Sequence, residues 1–146
     1  MYRAHELRFI YWNADGVRSK QHELLDLVVS DLNVDIIAIC ETRLTDRINL
    51  NLPGFTCFRS GKHPSGRGQG VALFIKTNLE QSRLNTVDTQ YLEVIGVRLH
   101  LCGCNYSIFS VYQSPNLTFL KKDLDLLLEV DNRVLTTGDL NAKHEF

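Results

Sequence analysis

The order of apolar and polar positions in the first forty residues predicts a strand, a helix and a second strand. Residues 7–12 are rich in aromatic and β-branched side chains, which is typical of a strand. Apolar residues recur at helical spacings between Ser19 and Leu32, which predicts an amphipathic helix. Residues 35–40 contain an unbroken apolar run, the pattern of a strand buried on both faces. This order predicts a right-handed β-α-β unit whose two strands end at the same edge of a sheet.

Short strand-like runs separated by turn residues fill the middle of the chain. The predicted strands are residues 55–59, 71–76, 91–100 and 106–113. Consecutive short strands joined by short loops favour an antiparallel meander.

The last part of the chain returns to helical spacing and then to one more strand. Residues 117–130 carry leucines at helical intervals. The outer face of this predicted helix carries Lys121, Lys122, Asp123 and Glu129. Residues 133–137 predict a strand, and residues 138–141 predict the loop that follows it.

Composition indicates an ordinary globular domain. The chain has 146 residues, 44% hydrophobic and 23% charged, which suits one domain with a real core. A net charge of -1 is no signature of a nucleic-acid binder. The stretch from Arg47 to Leu79 nevertheless lacks Asp and Glu. It is either a solvated loop or a phosphate-facing surface, with Arg59, Lys62 and Arg67 as candidate DNA contacts.

The cysteines and the hydropathy pattern favour an intracellular protein. Cys40 and Cys57 lie in apolar runs and are interpreted as small hydrophobic residues. The spacing of Cys102 and Cys104 is wrong for a zinc knuckle. We expect no signal peptide and no membrane span, because no apolar run is long enough.

The glycine-rich loop at residues 66–70 is a weak candidate for a phosphate cradle. It leads into the strand predicted at 71–76, whereas dinucleotide and phosphate-binding loops need a helix N-terminus to receive the phosphate. We interpret it as a loop before a strand.

Polar side chains follow the predicted strands at the point where each strand ends. Asn13, Asp15 and Glu41 follow the two strands of the β-α-β unit, and Asp139 and Asn141 follow the last strand. Taken singly, each is more often a helix cap or a turn former. Together they form a set of oxygen ligands that suits Mg²⁺ or Mn²⁺ and not zinc.

Five short motifs carry a family resemblance. They are Trp12-Asn13-Ala14-Asp15-Gly16, Cys40-Glu41-Thr42, Tyr91-Leu92-Glu93, Val111-Tyr112-Gln113-Ser114-Pro115 and Gly138-Asp139-Leu140-Asn141-Ala142. In order and spacing they resemble the endonuclease/exonuclease/phosphatase superfamily, and most of all the apurinic-type endonuclease domain of non-LTR retrotransposons. The resemblance implies an α/β fold in which two mixed sheets form a sandwich.

The resemblance also assigns a metal site. Glu41 matches the direct Mg²⁺ ligand, and Asn13 matches its partner in the metal-site pair. Asp15 matches an acidic residue that helps to hold the site. We therefore expect Mg²⁺ or Mn²⁺ as the cofactor.

The catalytic and phosphate-contacting residues follow from the same motifs. Tyr112 matches the tyrosine that hydrogen-bonds the scissile phosphate, and Asp139 matches the carboxylate that orients or deprotonates the attacking water. Asn141 matches an amide that contacts the phosphate. Glu93 recurs in the retrotransposon group without a clear role, and His144 recurs there without being catalytic.

Residues 1–146 are expected to form a partial domain that lacks its C-terminal portion. In the family, that portion supplies further strands, an aspartate and a Ser-Asp-His-like element whose histidine stabilises the transition state. We therefore expect uncovered sheet edges, marginal stability or self-association, and no catalytic turnover from these residues alone.

The function implied for the intact parent is metal-dependent nicking of DNA in the nucleus, beside a reverse transcriptase domain. One alternative is a phosphatase or lipid phosphodiesterase of the same superfamily. Another is a non-catalytic truncated remnant that at most binds Mg²⁺ or DNA weakly.

Overall fold

Two four-stranded mixed sheets pack face to face in the computed structural model, which describes residues 6–30, 33–60 and 69–142. The strands are β1 Phe9–Asn13, β2 Ile36–Cys40, β3 Phe55–Arg59, β4 Val71–Lys76, β5 Gln81–Arg83, β6 Leu92–Leu101, β7 Cys104–Gln113 and β8 Val134–Asp139. The helices are α1 Gln21–Val29, entered through a 3-10 turn at Arg18–Lys20, and α2 Lys121–Leu128. The first sheet has the order β1-β2-β4-β3 and the second the order β5-β6-β7-β8. The predicted α/β sandwich is confirmed.

The predicted strand-helix-strand unit is present. Strands β1 and β2 pair in parallel from Phe9 opposite Ile36 to Asn13 opposite Cys40, and α1 lies between them in the chain. Every residue of β2 is buried, as the unbroken apolar run predicted. One face of β2 lies in the core between the sheets, and the other packs against α1.

The predicted antiparallel meander is wrong as one continuous unit, although its pairs β3 with β4 and β6 with β7 are antiparallel as predicted. Strand β4 lies between β2 and β3 in the first sheet, whereas β6 and β7 belong to the second sheet. The chain therefore changes sheets after β4, through the short strand β5, which the sequence did not predict because three residues show no alternation. Strand β3 becomes the edge of the first sheet.

Two further predictions at the end of the chain need correction. Asp139 is the last residue of β8 and not part of the loop after it. Asp123 does not lie on an outer face, because it is four residues before the buried Leu127, on the same side of helix α2, and is 2% exposed. Its carboxylate accepts the backbone N–H groups of Gln90, Tyr91 and Leu92 at 2.8–3.2 Å.

The two sheets are joined by apolar packing and by one buried thiol. Alternate residues of β2, β4, β6 and β7 fill the interior, and Leu127 of α2 packs on the outer face of the second sheet. The thiol of Cys40 donates to the carbonyl oxygen of Val111 across the interior at 3.1 Å. Burial raises the pKa of Cys40 and raises that of Cys57 to about 11, so both thiols stay protonated at neutral pH.

The edge strands β1 and β8 lie against each other on the same side of the sandwich. Tyr11 on β1 and Leu135 on β8 are 38% and 51% exposed, so part of this side is apolar and open. No helix in the described ranges is long and apolar enough to cross a membrane.

Gly138 provides a test of the fold, because β8 approaches β7 closely at this residue. Gly138 pairs with Val111, and its φ of 151° lies where only glycine is comfortable. A Cβ at this position would overlap the carbonyl oxygen of Val111. We expect Gly138→Ala to lower the free energy of unfolding by more than about 3 kcal/mol, measured by urea denaturation.

Gly103→Ala is the matched control for this prediction. Gly103 has a φ of 75°, but no atom lies within 4 Å of a Cβ built there. The backbone strain alone should cost about 1–2 kcal/mol. Equal losses in the two variants would contradict the close approach of β8 to β7.

Candidate functional site

The residues singled out from the motifs gather at one end of the sandwich. Asn13 is the last residue of β1, Glu41 directly follows β2, and Asp139 is the last residue of β8. Tyr112, near the end of β7, pairs with Glu93 on one side and with Asp139 on the other. Carboxylates of both sheets thus flank the Tyr112 phenol.

Glu41 is the centre of this end. Its Oε1 accepts a hydrogen bond from Nδ2 of Asn13 at 3.1 Å, and its Oε2 lies 3.6 Å from Nη2 of Arg43. The Asn13 amide is oriented from its other side as well, because its Oδ1 accepts the backbone N–H of Asp15 at 3.2 Å. Asn13 therefore orients Glu41 and Asp15 in this arrangement.

Strained backbone is concentrated around Glu41. Six described residues other than glycine have positive φ, and four of these belong to the site or its motifs. They are Asp15 at 46°, Glu41 at 53°, Arg43 at 51° and Asn141 at 43°. Such conformations persist only when the surrounding structure holds them, and they are frequent at functional sites.

Backbone hydrogen bonds hold the strained segment from two sides. The Glu41 carbonyl accepts the N–H of Gly16 at 2.8 Å. On the opposite side, the N–H groups of Thr42 and Arg43 donate to the carbonyls of Gly70 and Gln69 at 3.1 and 2.8 Å. The direction of the Glu41 side chain is thereby set by both neighbouring loops.

Glu93 supports this arrangement from the second sheet. It is 8% exposed, and its two carboxylate oxygens accept the N–H groups of Gln69 and Gly70 at 2.7 and 2.8 Å. The segment that Glu93 holds is the same segment that pairs with Thr42 and Arg43. Glu93 therefore positions the backbone beside Glu41, a contact that the sequence could not assign.

Asp139 and Asn141 form a compact turn at the end of β8. Oδ1 of Asp139 accepts the backbone N–H of Asn141 at 2.9 Å. Nδ2 of Asn141 donates to the carbonyl of Gln113 at 2.8 Å, which ties the turn to the end of β7. The second N–H of this amide is left for another acceptor.

Burial and the neighbouring carboxylates keep the Tyr112 phenol protonated. Burial raises the pKa of Tyr112 to about 12, helped by the charge of Glu41 and a hydrogen bond to it, and by the charges of Asp139 and Glu93. Tyr112 is therefore a hydrogen-bond donor throughout the neutral pH range.

Two residues at the site were missed by sequence reasoning. Burial, Cys40 and the charges of Asp139 and Glu41 also raise the pKa of Tyr11, which lies two residues before Asn13 on the same face of β1. Arg43 forms ion pairs with Asp15 at 2.5 Å and with Glu41. Strand alternation could have indicated Tyr11, whereas Arg43 shows no pattern beyond its place two residues after Glu41.

The predicted phosphate-facing residues are not brought to the site in the part of the chain that is described. The guanidinium of Arg59 donates to the carbonyls of Ile48 and Thr45 and so braces the loop before β3. Lys62, Arg67 and His144 lie outside the described residues.

The donor set at Glu41 suits Mg²⁺ and does not suit zinc. Within the described residues, no group of three or more His, Cys, Asp or Glu side chains is arranged to hold a metal ion. Structural and catalytic zinc sites need three or four such ligands. Mg²⁺ usually keeps several waters and is bound through one or two carboxylates, which Glu41 and Asp15 can provide.

The sequence of this chain matches a family of known proteins. Residues 10–146 match the sequence profile of the Endonuclease/Exonuclease/phosphatase family. The RNA-directed DNA polymerase from mobile element jockey of Drosophila melanogaster is 29% identical over 140 residues, which are 94% of this chain and 15% of that protein. The probable RNA-directed DNA polymerase from transposon BS of the same species is 25% identical over 142 residues, 94% of this chain and 16% of that protein.

The solved structures show the same fold. The endonuclease domain of TRAS1, a telomere-specific non-LTR retrotransposon, superimposes with a TM-score of 0.70 at 17% identity, over 95% of this chain and 61% of that one. The Xenopus laevis APE2 catalytic domain superimposes with a TM-score of 0.59 at 18% identity, over 93% of this chain and 59% of that one.

The chain spans about 15% of the length of the curated relatives it matches. With a family profile matched over nearly its whole length, the chain belongs to the endonuclease/exonuclease/phosphatase family, and its relatives are retrotransposon RNA-directed DNA polymerases.

Proposed function

We propose that this chain is the nuclease portion of a retrotransposon polyprotein and contributes to metal-dependent nicking of DNA phosphodiesters beside a reverse transcriptase. The observation that supports this most is the position of Glu41. Asn13 orients this carboxylate in the first sheet, and the Tyr112 phenol and Asp139 face it from the second. This end of the sandwich brings a candidate cation ligand, a neutral hydrogen-bond donor and a second carboxylate close together.

Glu41 and Asp15 would hold the cation, with the Asn13 amide orienting the Glu41 carboxylate and fixing the backbone of Asp15. A divalent cation bound there supplies positive charge to the phosphoryl oxygens as negative charge develops on them. Mg²⁺ and Mn²⁺ both suit oxygen ligands of this kind. The fixed direction of Glu41 means that this carboxylate itself needs little reorganisation when the cation binds.

Tyr112 and Asn141 would position the phosphodiester. The single O–H of the neutral Tyr112 phenol, which is hydrogen-bonded to Glu41 in this structure, would turn to the phosphodiester without adding charge, and the Asn141 N–H that Gln113 does not use would donate a second hydrogen bond. Two donors on neighbouring strands orient the phosphate relative to the cation ligand.

Asp139 would act on the attacking water. It lies beside Tyr112 in the second sheet, and one of its oxygens is already fixed by the N–H of Asn141. The other oxygen is available to accept a proton from water or to orient it. Glu41 and Asp139 thus divide charge stabilisation and proton transfer between them.

The likeness to retrotransposon proteins favours DNA over phosphate monoesters or phospholipids. A full-length jockey-type relative is expected to nick supercoiled plasmid with Mg²⁺ or Mn²⁺ and to leave phospholipid head groups uncut. Alanine at the counterparts of Glu41 and Asp139 should lower the nicking rate by at least about 10²-fold. Lipid cleavage with intact plasmid would contradict the proposed substrate class.

The 146-residue chain serves as the comparison in this assay. It spans 61% of the TRAS1 endonuclease chain, and the family resemblance assigns the charge-stabilising histidine to the portion it does not span. We expect its nicking to stay at background, because residues that act as one unit are not additive. Robust nicking that is lost in both Glu41→Ala and Asp139→Ala would show that these residues suffice.

The raised pKa of Tyr112 predicts a loss of stability at alkaline pH. Because its pKa in the folded protein is about 12 and that of an unfolded tyrosine is near 10, the unfolded chain releases this proton first. The contribution of Tyr112 to stability is full below pH 10 and is lost as the pH rises toward 12. The free energy of unfolding should therefore fall more steeply between pH 10 and 12 in the wild type than in Tyr112→Phe.

Tyr106→Phe is the matched control for the alkaline measurement. Tyr106 is 37% exposed near the start of β7, far from the carboxylates, so its removal should keep the wild-type slope. A wild-type slope in Tyr112→Phe as well would show that burial and the neighbouring carboxylates do not hold this phenol protonated.

A further inference from the structure

Arg43 occupies the position from which a cation would be held by Glu41 and Asp15. Its Nη2 lies 2.5 Å from Oδ1 of Asp15 and 3.6 Å from Oε2 of Glu41. Among the described residues, the ion pairs formed by these two carboxylates are both with Arg43. The two candidate ligands therefore already share one positive charge.

The backbone conformation of Arg43 directs its side chain toward Glu41 and Asp15. Its φ of 51° and the hydrogen bond from its N–H to the Gln69 carbonyl direct the side chain back toward Glu41. The Arg43 side chain passes beside Gly16, where a built Cβ would lie at the ordinary van der Waals distance of 3.8 Å from Cδ of Arg43. Arg43 is thus fixed by its main chain, while its guanidinium remains half-exposed.

The guanidinium and a divalent cation cannot both keep these contacts. Two positive groups within about 4 Å of the same oxygen repel each other strongly, even under the dielectric screening of a protein surface. The contact with Asp15 joins two side chains that are 54% and 65% exposed, and ion pairs of this kind contribute little stability. Arg43 can therefore leave Asp15 at small cost, and a cation that binds Glu41 would replace the charge compensation that Arg43 gives it.

We propose that Arg43 is a built-in counter-cation of the metal site, which neutralises Glu41 and Asp15 until a divalent cation displaces it. This inference rests on the proposed function, because it concerns the same carboxylates. It goes further by assigning Arg43 the role of lowering the affinity of the site for the metal. The negative charges of Glu41 and Asp15 are then neutralised by Arg43 before the metal ion binds and by the metal ion afterwards.

Calorimetric titration of Mn²⁺ into the chain at low salt tests the proposal. Arg43→Met removes the charge and keeps most of the side-chain volume, and it is expected to bind Mn²⁺ about three- to tenfold more tightly than the wild type. Arg43→Lys keeps the charge and should stay within about twofold of the wild type. The gain in Arg43→Met should shrink at high salt, because exposed charges are screened.

Two controls separate the possible failures. Arg133→Met makes the same change in net charge at the start of β8, where Arg133 stacks on Tyr106, and should leave Mn²⁺ affinity unchanged. Glu41→Ala should abolish binding. Unchanged or weaker binding in Arg43→Met, with normal binding in the wild type, would overturn the role of Arg43 alone. Wild-type binding that is absent, or that survives Glu41→Ala, would overturn the metal site and with it both proposals.

Discussion

A carboxylate at the end of a strand buried on both faces is the constraint on which this end of the molecule depends. Every residue of β2 is buried, and the Glu41 side chain that follows it is only 17% exposed. A charge in such surroundings is costly unless it is hydrogen-bonded or paired. Asn13, Tyr112 and Arg43 meet this requirement from three directions, and each is brought there by a different element of the fold.

Residues of the second sheet also hold the backbone beside Glu41 in place. Asp123 holds the backbone that leads into β6 through three N–H groups, and β6 places Glu93 under Gln69 and Gly70. That segment pairs in turn with the strained backbone after Glu41. Two buried carboxylates thus fix main-chain geometry, and a third, Glu41, is the proposed cation ligand. The strain around Glu41 persists because these contacts are distributed over both sheets.

Local patterns predicted most of the elements, and non-local packing decided the rest. The unbroken apolar run of β2 and the polar residues at the strand ends identified the edge where the site lies, because both depend on short sequence intervals. The meander failed because the sheet that a strand joins depends on contacts far along the chain. Asp123 was misplaced because its charge was taken to indicate an outer face, whereas it lies one helical turn before the buried Leu127. Some contacts at the site join segments that no sequence periodicity relates, so they could not be predicted. They are the hydrogen bonds from Gln69 and Gly70 to Glu93 and the ion pair of Arg43 with Asp15.

The central claim is that Glu41, presented by Asn13 and faced by Tyr112, is the ligand of a divalent cation in this family member. Anomalous diffraction from crystals grown with Mn²⁺ tests this claim most directly. The account predicts one strong Mn²⁺ peak at bonding distance, about 2.1 Å, from Oε2 of Glu41, with most of its remaining ligands being waters. A peak elsewhere in the molecule, or no peak at Glu41 at millimolar Mn²⁺, would contradict it.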